Sequence, residues 1–447
     1  MEQFMMPAWA MIPFGLMLLA IAICPILVGK WWENNRNKLL LSVVLALPVV
    51  AYMLMNGLKT NLVDTVAYDY IPFIVLLLSL FVITGGIHLQ GDIVAKPIVN
   101  TAFLATGFVL ASLMGTTGAA MLLIRPLLET NQQREHKIHT VLFFIALVAN
   151  CGGLMTPLGD PPLFMMYMRG AHFGWFANMW QEWLFTGAVL LGIYCLLDNY
   201  YYRREHWTSL SADVREKQPL RLLGKINLLY LLGVVACVAF VNADTIKIMN
   251  SDNLFFRSLR EICLLALTGL SLLTTSKKVR YEQNKYSWAP ILEVAALFFG
   301  IFITMAPALL YLQQNASGLG LTDVWQFYYA TGLLSSFLDN TPTAVAFWSM
   351  GTGLDSAILS NMIADGGSLT MLSEGVRMQY PTVLLKAICT SAVFFGSMTY
   401  IGNGPNFMVK SIAEENGINM PSFFGYIFKF SLIVLLPVYI LIQLIFL

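Results

Sequence analysis

The chain has 447 residues, 57% of them hydrophobic and only 11% charged, with a formal net charge of +1. Soluble globular domains carry about 25% charged residues. The composition therefore excludes a soluble fold, and near-neutrality argues against a nucleic-acid partner.

Charge-free apolar runs occur at 7–29, 39–58, 97–124, 226–243, 294–322, 387–409 and 430–447. Each is near or above the roughly 18–20 residues that cross a bilayer as a helix. A β-barrel would alternate over segments of about 10 residues instead. The expected class is an all-α polytopic membrane protein of roughly 10–12 spans. The first run lacks a basic flank and reads as a retained span, not a secretory signal. The six cysteines (Cys24, Cys151, Cys195, Cys237, Cys263, Cys389) are scattered, without disulfide or metal spacing, and read as small core residues.

Basic residues cluster in three loops: Lys30, Arg36 and Lys38; then Arg203, Arg204, Arg215, Lys217, Arg221 and Lys225; then Lys277, Lys278, Arg280 and Lys285. The positive-inside rule assigns all three to the cytoplasm, which puts the N-terminus outside. Between the first two loops lie apolar segments at 39–57, 70–90, 97–124, 138–165 and 171–197. That odd number of crossings ends on the wrong side, so one segment re-enters or splits. The candidates are the breaks around Gly115–Gly118 and Thr156–Pro162. Trp31-Trp32 and Tyr200–Tyr202 read as interfacial anchors.

Two stretches repeat each other: Thr156-Pro157-Leu158-Gly159-Asp160-Pro161 and Thr399-Tyr400-Ile401-Gly402-Asn403-Gly404-Pro405. Likewise Gly115-Thr116-Thr117-Gly118 occupies the place of Asp339-Asn340-Thr341-Pro342, and Tyr68-x-Tyr70-x-Pro72 that of Tyr286-x-Trp288-x-Pro290. One copy starts after an outer loop and the other after an inner loop, so they are antiparallel. Broken helices in an inverted repeat are the architecture of secondary transporters, with the site at the breaks. The expected organisation is N-terminal scaffold helices at 1–57, a first inverted repeat at 58–202 and a cytoplasmic linker at 203–225. Scaffold helices follow at 226–275 and the second inverted repeat at 286–447, with re-entrant hairpins among the broken segments.

Asp160 and Asp339 each sit in one of these breaks, and a lone carboxylate in a membrane marks an ion or proton route. Burial disfavours the charged form of a carboxyl, so sodium and protons can compete for the same oxygens. Asp160 and Asp339 are the expected Na+ and proton-coupling groups. Each also fits a helix N-cap, Asp160 ahead of Pro161 and Asp339 ahead of the Asn340-Thr341-Pro342 turn. Thr116, Thr117, Thr156, Gly159, Asn340, Thr341, Thr399, Asn403 and Asn406 are the other candidate ion or substrate contacts. Hydrogen bonding between helices is the competing role for their side chains. Glu293 is either a second proton carrier or an interfacial carboxylate. Lys386 either pairs with an acidic site or snorkels to the surface. The histidines (His88, His136, His139, His172, His206) fall in or near loops and receive no role. No Walker, HExxH or G-x-S-x-G motif stands in an informative context, so no enzymatic activity is expected.

Ala149-Asn150-Cys151-Gly152-Gly153 with Pro157-Leu158-Gly159-Asp160 resembles the signature of NhaD-type sodium/proton antiporters of the ion-transporter superfamily. Ser335-Ser336-Phe337-Leu338-Asp339-Asn340-Thr341-Pro342 resembles the matching second-half motif. Ile124-Arg125-Pro126-Leu127-Leu128 and Gly402-Asn403-Gly404-Pro405-Asn406-Phe407-Met408-Val409-Lys410 are similar to a bacterial branch grouped with citrate transporters (CitMHS-like). The resemblance implies a homodimer with scaffold and transport domains, re-entrant hairpins and an elevator-like motion. It also implies an ion site at Asp160 and Asp339-Asn340-Thr341. The chain departs from the antiporter pattern at Gly115-Thr116, where Asp-Asn is usual. It departs from the dicarboxylate symporters in keeping Asn-Thr only in the second half. The expected function is exchange of Na+ or Li+ for H+ across a bacterial cytoplasmic membrane, with no cofactor beyond the transported ion. The alternative is Na+- or H+-coupled uptake of citrate or another small dicarboxylate. The expected partners are the lipid bilayer, a small cation, protons and a second copy of the chain.

Overall fold

The computed structural model describes residues 5–243, 245–250, 253–373 and 376–447. Among them, eight helices are long and apolar enough to cross a membrane. In chain order the main elements begin with α1 (Ile12–Leu27), α2 (Asn35–Met55) and α3 (Lys59–Thr84), then strand β1 (His88–Asp92). Next come α4 (Pro97–Met114), α5 (Thr116–Thr130), α6 (Ile138–Leu147), α7 (Pro161–Met168), α8 (Trp180–Tyr202), α9 (Trp207–Glu216) and strand β2 (Gln218–Leu223). The second half holds α10 (Ile226–Phe240), α11 (Leu259–Thr274), α12 (Ala289–Gln314), α13 (Val324–Phe337), α14 (Asn340–Thr352) and α15 (Ser356–Gly366). Strands β3 (Ser368–Ser373) and β4 (Val376–Pro381), then α16 (Thr382–Phe395), α17 (Gly404–Glu415) and α18 (Phe423–Phe446), complete it.

Two of the breaks turn the chain back on itself. Gly115 has φ +80°, a conformation open to glycine at no steric cost. It folds α5 against α4, so that Gly107 lies directly against Leu123. Leu338 and Asp339 are extended and fold α14 against α13, bringing Phe327 and Phe347 to 6.4 Å. These are helical hairpins. The other two breaks, between α6 and α7 and between α16 and α17, are unwound stretches in a chain that continues onward. Each hairpin returns to its starting side, which restores the parity that the basic loops require.

The helix ends fall on two faces. On the basic face, β1 pairs antiparallel with β2, His88 opposite Leu223, with a bulge before Asp92. There Asn284 Nδ2 donates to Gly85 O at 2.8 Å, and Arg125 Nη1 donates to Asn284 O at 3.0 Å. Arg280, fully buried, donates to the Val82 and Ser271 carbonyls. On the opposite face, Tyr167 donates its hydroxyl to Val238 O at 2.7 Å and β3 pairs with β4.

Packing between the halves is reciprocal. Helix α2 lies along α12, and α11 lies along α3. The second hairpin arm α5 packs on α17, and α14 packs on α7. Close approach relies on small residues, as at Gly300 against Ser42 and Gly187 against Phe108. Trp32, expected at the interface, is buried and lies beside Lys38, while Trp31 and Tyr200 remain exposed.

Candidate functional site

Four helices begin at one place. Thr116 starts α5, Asn340 starts α14, and Asp160 and Asn403 are the residues from which α7 and α17 start. Gly and Pro dictate this locally: Pro161 and Pro405 suit the first helical turn and cannot extend the preceding one. Each helix start carries a partial positive charge, although Pro161 and Pro162 bring no N–H to the first turn of α7.

The carboxyl of Asp160 lies at the junction and is 1% exposed. Its Oδ1 accepts from Thr116 Oγ1 at 2.8 Å and from Asn403 Nδ2 at 3.2 Å, and its Oδ2 accepts from Asn340 Nδ2 at 2.6 Å. Donors from both halves thus meet on one acid. No Lys or Arg among the described residues pairs with it, so its partners are neutral.

Behind it runs a chain of amides. Asn403 Nδ2 also donates to Ala149 O at 3.2 Å and to Asn150 Oδ1 at 3.1 Å. Asn150 Nδ2 donates to Asn406 Oδ1 at 2.6 Å and to Ile145 O. Asn406 Nδ2 in turn donates to Gly396 O at 2.7 Å and Thr399 O at 2.9 Å. Each amide nitrogen faces acceptors, which fixes the orientation of all three.

The other expected contacts divide. Thr117 and Gly159 line, with Thr116 and Asp160, a cavity of about 90 Å³ between the first hairpin and helices α3 and α12. The Gly159 carbonyl also accepts the Thr116 N–H at 2.8 Å. Asp339 caps α14, accepting the Thr341 N–H at 3.0 Å, and immediately precedes Asn340, whose amide reaches Asp160. Thr341 donates its hydroxyl to Asn340 Oδ1 at 3.3 Å. Thr156 and Thr399 hold the unwound backbone: Thr156 donates to Ser112 O, and Thr399 donates to Ser336 O at 2.5 Å. Glu293 is drawn to Lys38 instead of to Asp160, at 2.6 Å and with 39% of its side chain exposed. Among the described residues no three His, Cys, Asp or Glu gather as a metal group. Any hard-oxygen set here must combine carboxyl, amide, hydroxyl and carbonyl oxygens.

Sequence reasoning quoted Asn150 without giving it a role, although it joins the two unwound segments. Lys386 does not snorkel; it pairs with the buried Glu182 at 2.5 Å. His139 lies in the first turn of α6, next to a loop. It is buried, with Nε2 2.9 Å from Asp198 Oδ1, which also takes Arg134 Nη1 at 2.7 Å.

The family model described as "Putative citrate transport" matches residues 3–447. The chain belongs to this family. It is a multi-pass membrane protein of a transporter family. A weaker similarity links it to the inner membrane protein YbiR of Escherichia coli (strain K12), 24% identical over 318 residues that cover 65% of this chain and 78% of that one. The family match agrees with the broad ion and citrate transporter resemblance and does not single out the NhaD-type branch within it.

Proposed function

We propose that the protein is a secondary transporter exchanging Na+ (or Li+) for H+, with Asp160 as the coupling carboxylate and Asp339 as the second acidic group. The observation that carries this reading is the environment of Asp160: a buried acid held by a hydroxyl and two amides, with no basic partner. A buried charge without a counter-charge is expensive, and a bound proton or sodium ion supplies what the protein omits.

Four helix N-termini would favour an organic anion, but here the chain's own carboxylate occupies that position. The adjoining cavity, about 90 Å³, is small beside the roughly 300–1,000 Å³ of organic-ligand pockets. Asn340 is the movable part. Its Oδ1 takes only the 3.3 Å bond from Thr341, so turning the amide presents an oxygen to an entering cation. Asn403, tied to three acceptors, stays as a fixed donor. Hairpins and unwound helices then move as one unit against α3 and α12 to expose the site alternately, in a dimer. The location named for YbiR and the three basic loops support a bacterial inner membrane with the basic face cytoplasmic and the N-terminus outside.

Everted vesicles loaded with a pH-sensitive dye test this. Added Na+ is expected to dissipate an acid-inside gradient, and Asp160→Asn is expected to abolish the response while the purified variant elutes as the wild type does. Absence of a sodium response at every pH, or normal exchange by the variant, overturns the proposal.

A second reading is Na+- or H+-coupled citrate uptake, favoured by the family description. Sodium-driven accumulation of labelled citrate in proteoliposomes, without proton exchange, would put it first.

A further inference from the structure

The segment between α8 and α10 sorts its charges by side. Two of its acids, Glu205 and Asp213, point inward. Glu205 accepts the N–H groups of Glu135 and His136 at 2.9 Å each, and Asp213 Oδ2 accepts the Ala95 N–H at 2.9 Å. Ala95 lies just before α4, and Glu135 and His136 lie just after α5, so both acids grip the base of the first hairpin. The bases point outward: Arg203, Arg204, Arg215, Lys217, Arg221 and Lys225 are all exposed. Among the described side chains of 203–225 no exposed acid offsets them.

Two aromatic residues set the level of this segment relative to the bilayer. Tyr200, in the last turn of α8, is half exposed under Arg204, whose guanidinium lies 4.1 Å from the ring centre. Trp207, the first residue of α9, is 81% exposed. Only four residues separate the end of α8 at Tyr202 from Trp207, a reach of at most about 18 Å even when extended. Helix α9 therefore starts beside the membrane surface. Trp207 stands open at the start of α9, while Asp213, almost two turns on, is buried against the hairpin. An exposed Trp with basic residues on both sides of it suits the membrane interface.

We propose that α9 and its flanking basic residues dock on anionic phospholipid headgroups of the leaflet at the basic face. Charge complementarity selects this occupant, since a zwitterionic surface offers these cations no net attraction. Each Lys or Arg near such a surface strengthens the attraction to it about fivefold. Because Glu205 and Asp213 sit in the same segment, the lipid contact also tethers the base of the hairpin whose tip reaches Asp160.

The test reconstitutes the full-length protein in phosphatidylcholine bilayers containing about one-fifth phosphatidylglycerol, a share high enough to carry a surface potential. Bromines, which quench tryptophan, are placed on the chains of the phosphatidylglycerol or of an equal amount of the phosphatidylcholine. The Trp207 signal is the difference between wild type and Trp207→Phe. Quenching by the brominated anionic lipid is expected to exceed that by the zwitterionic lipid at least twofold. In the fourfold variant R203Q/R204Q/R215Q/K217Q the two are expected to become equal. Equal quenching in the wild type, quenching by neither lipid, or a preference that survives the four substitutions overturns the proposal.

Discussion

Removing Lys386 alone should be far more damaging than removing Glu182 and Lys386 together. Lys386 Nζ lies 2.5 Å from Glu182 Oε1, with the two side chains 15% and 0% exposed. Apart from this ammonium, no hydrogen bond from the described residues reaches either oxygen of Glu182. Lys386→Met therefore strands a fully buried carboxylate, for which a loss of about 3–5 kcal/mol is expected. Glu182→Gln strands only the ammonium, which is partly exposed and lies five residues after Pro381, near a surface it can reach. Its loss should resemble that of one charged hydrogen bond, about 1.5–3 kcal/mol. The double variant removes both charges and should return to within about 1 kcal/mol of wild type, since a buried pair with poor hydrogen bonding is no better than a neutral filling. Equilibrium unfolding in mixed micelles, following helicity against the mole fraction of sodium dodecyl sulfate, measures all three. The internal control is Lys38→Met at the Lys38–Glu293 pair. Glu293 is 39% exposed there, so water takes over and the loss should stay below about 1 kcal/mol. Equal losses in Lys386→Met and Glu182→Gln, or a double variant as unstable as Lys386→Met, would refute the reasoning.

Further substitutions test the breaks. A Cβ at Gly159 would stand 1.9 Å from Gly153 O, so Gly159→Ala should destabilise by at least the roughly 1–3 kcal/mol of an overpacked core. Gly174→Ala, with open space around it, should leave the melting temperature unchanged. Asp339→Ala should lose about 1 kcal/mol by removing the cap of α14, and Asp339→Asn should keep most of it. A thermal shift equal for the two would mean that the side-chain oxygen does not cap.

The breaks were legible because Gly and Pro interrupt otherwise apolar runs, and parity required that some segment fail to cross. Which break turns back was not legible. Gly115 and Thr156–Pro162 both carry helix breakers, and only the packing of α4 on α5 distinguishes a hairpin from an unwound crossing. Asn150 was hidden for another reason. A single Asn in an apolar run reads as helix packing, and its contacts are with Asn403 and Asn406, more than 250 positions away. The Glu182–Lys386 and His139–Asp198 pairs were hidden in the same way, being joined by tertiary structure and by no local pattern. Thr156 and Thr399 drew attention as polar groups at a break. Their hydroxyls replace the backbone partners that unwinding removes, which a sequence cannot separate from ligand binding.

The two unwound segments share a backbone but not a charge. Asp160 has φ −146° and ψ 143°, Asn403 φ −149° and ψ 139°. Thr156 and Thr399 are equally alike, and bond to the equivalent serines Ser112 and Ser336. The two segments thus match in backbone geometry, while the residue at the helix start is an acid in one and an amide in the other. That difference has an electrostatic consequence when both side chains are charged. Asn403 Nδ2 donates to Asp160 at 3.2 Å; a second carboxylate there would replace an attraction by a repulsion. Two like charges about 4 Å apart repel by about 4 kcal/mol even at an effective dielectric of 20. The hairpin tips have the opposite distribution, with the acid at Asp339 in the second half and neutral Gly115 in the first. Each half contributes one acid, on a different kind of element, so the junction acquires two carboxyl groups without forcing both onto one hydrogen-bonded pair. Asp339 is held by the start of its own helix, which leaves Asp160 as the acid whose hydrogen-bond partners are all neutral side chains.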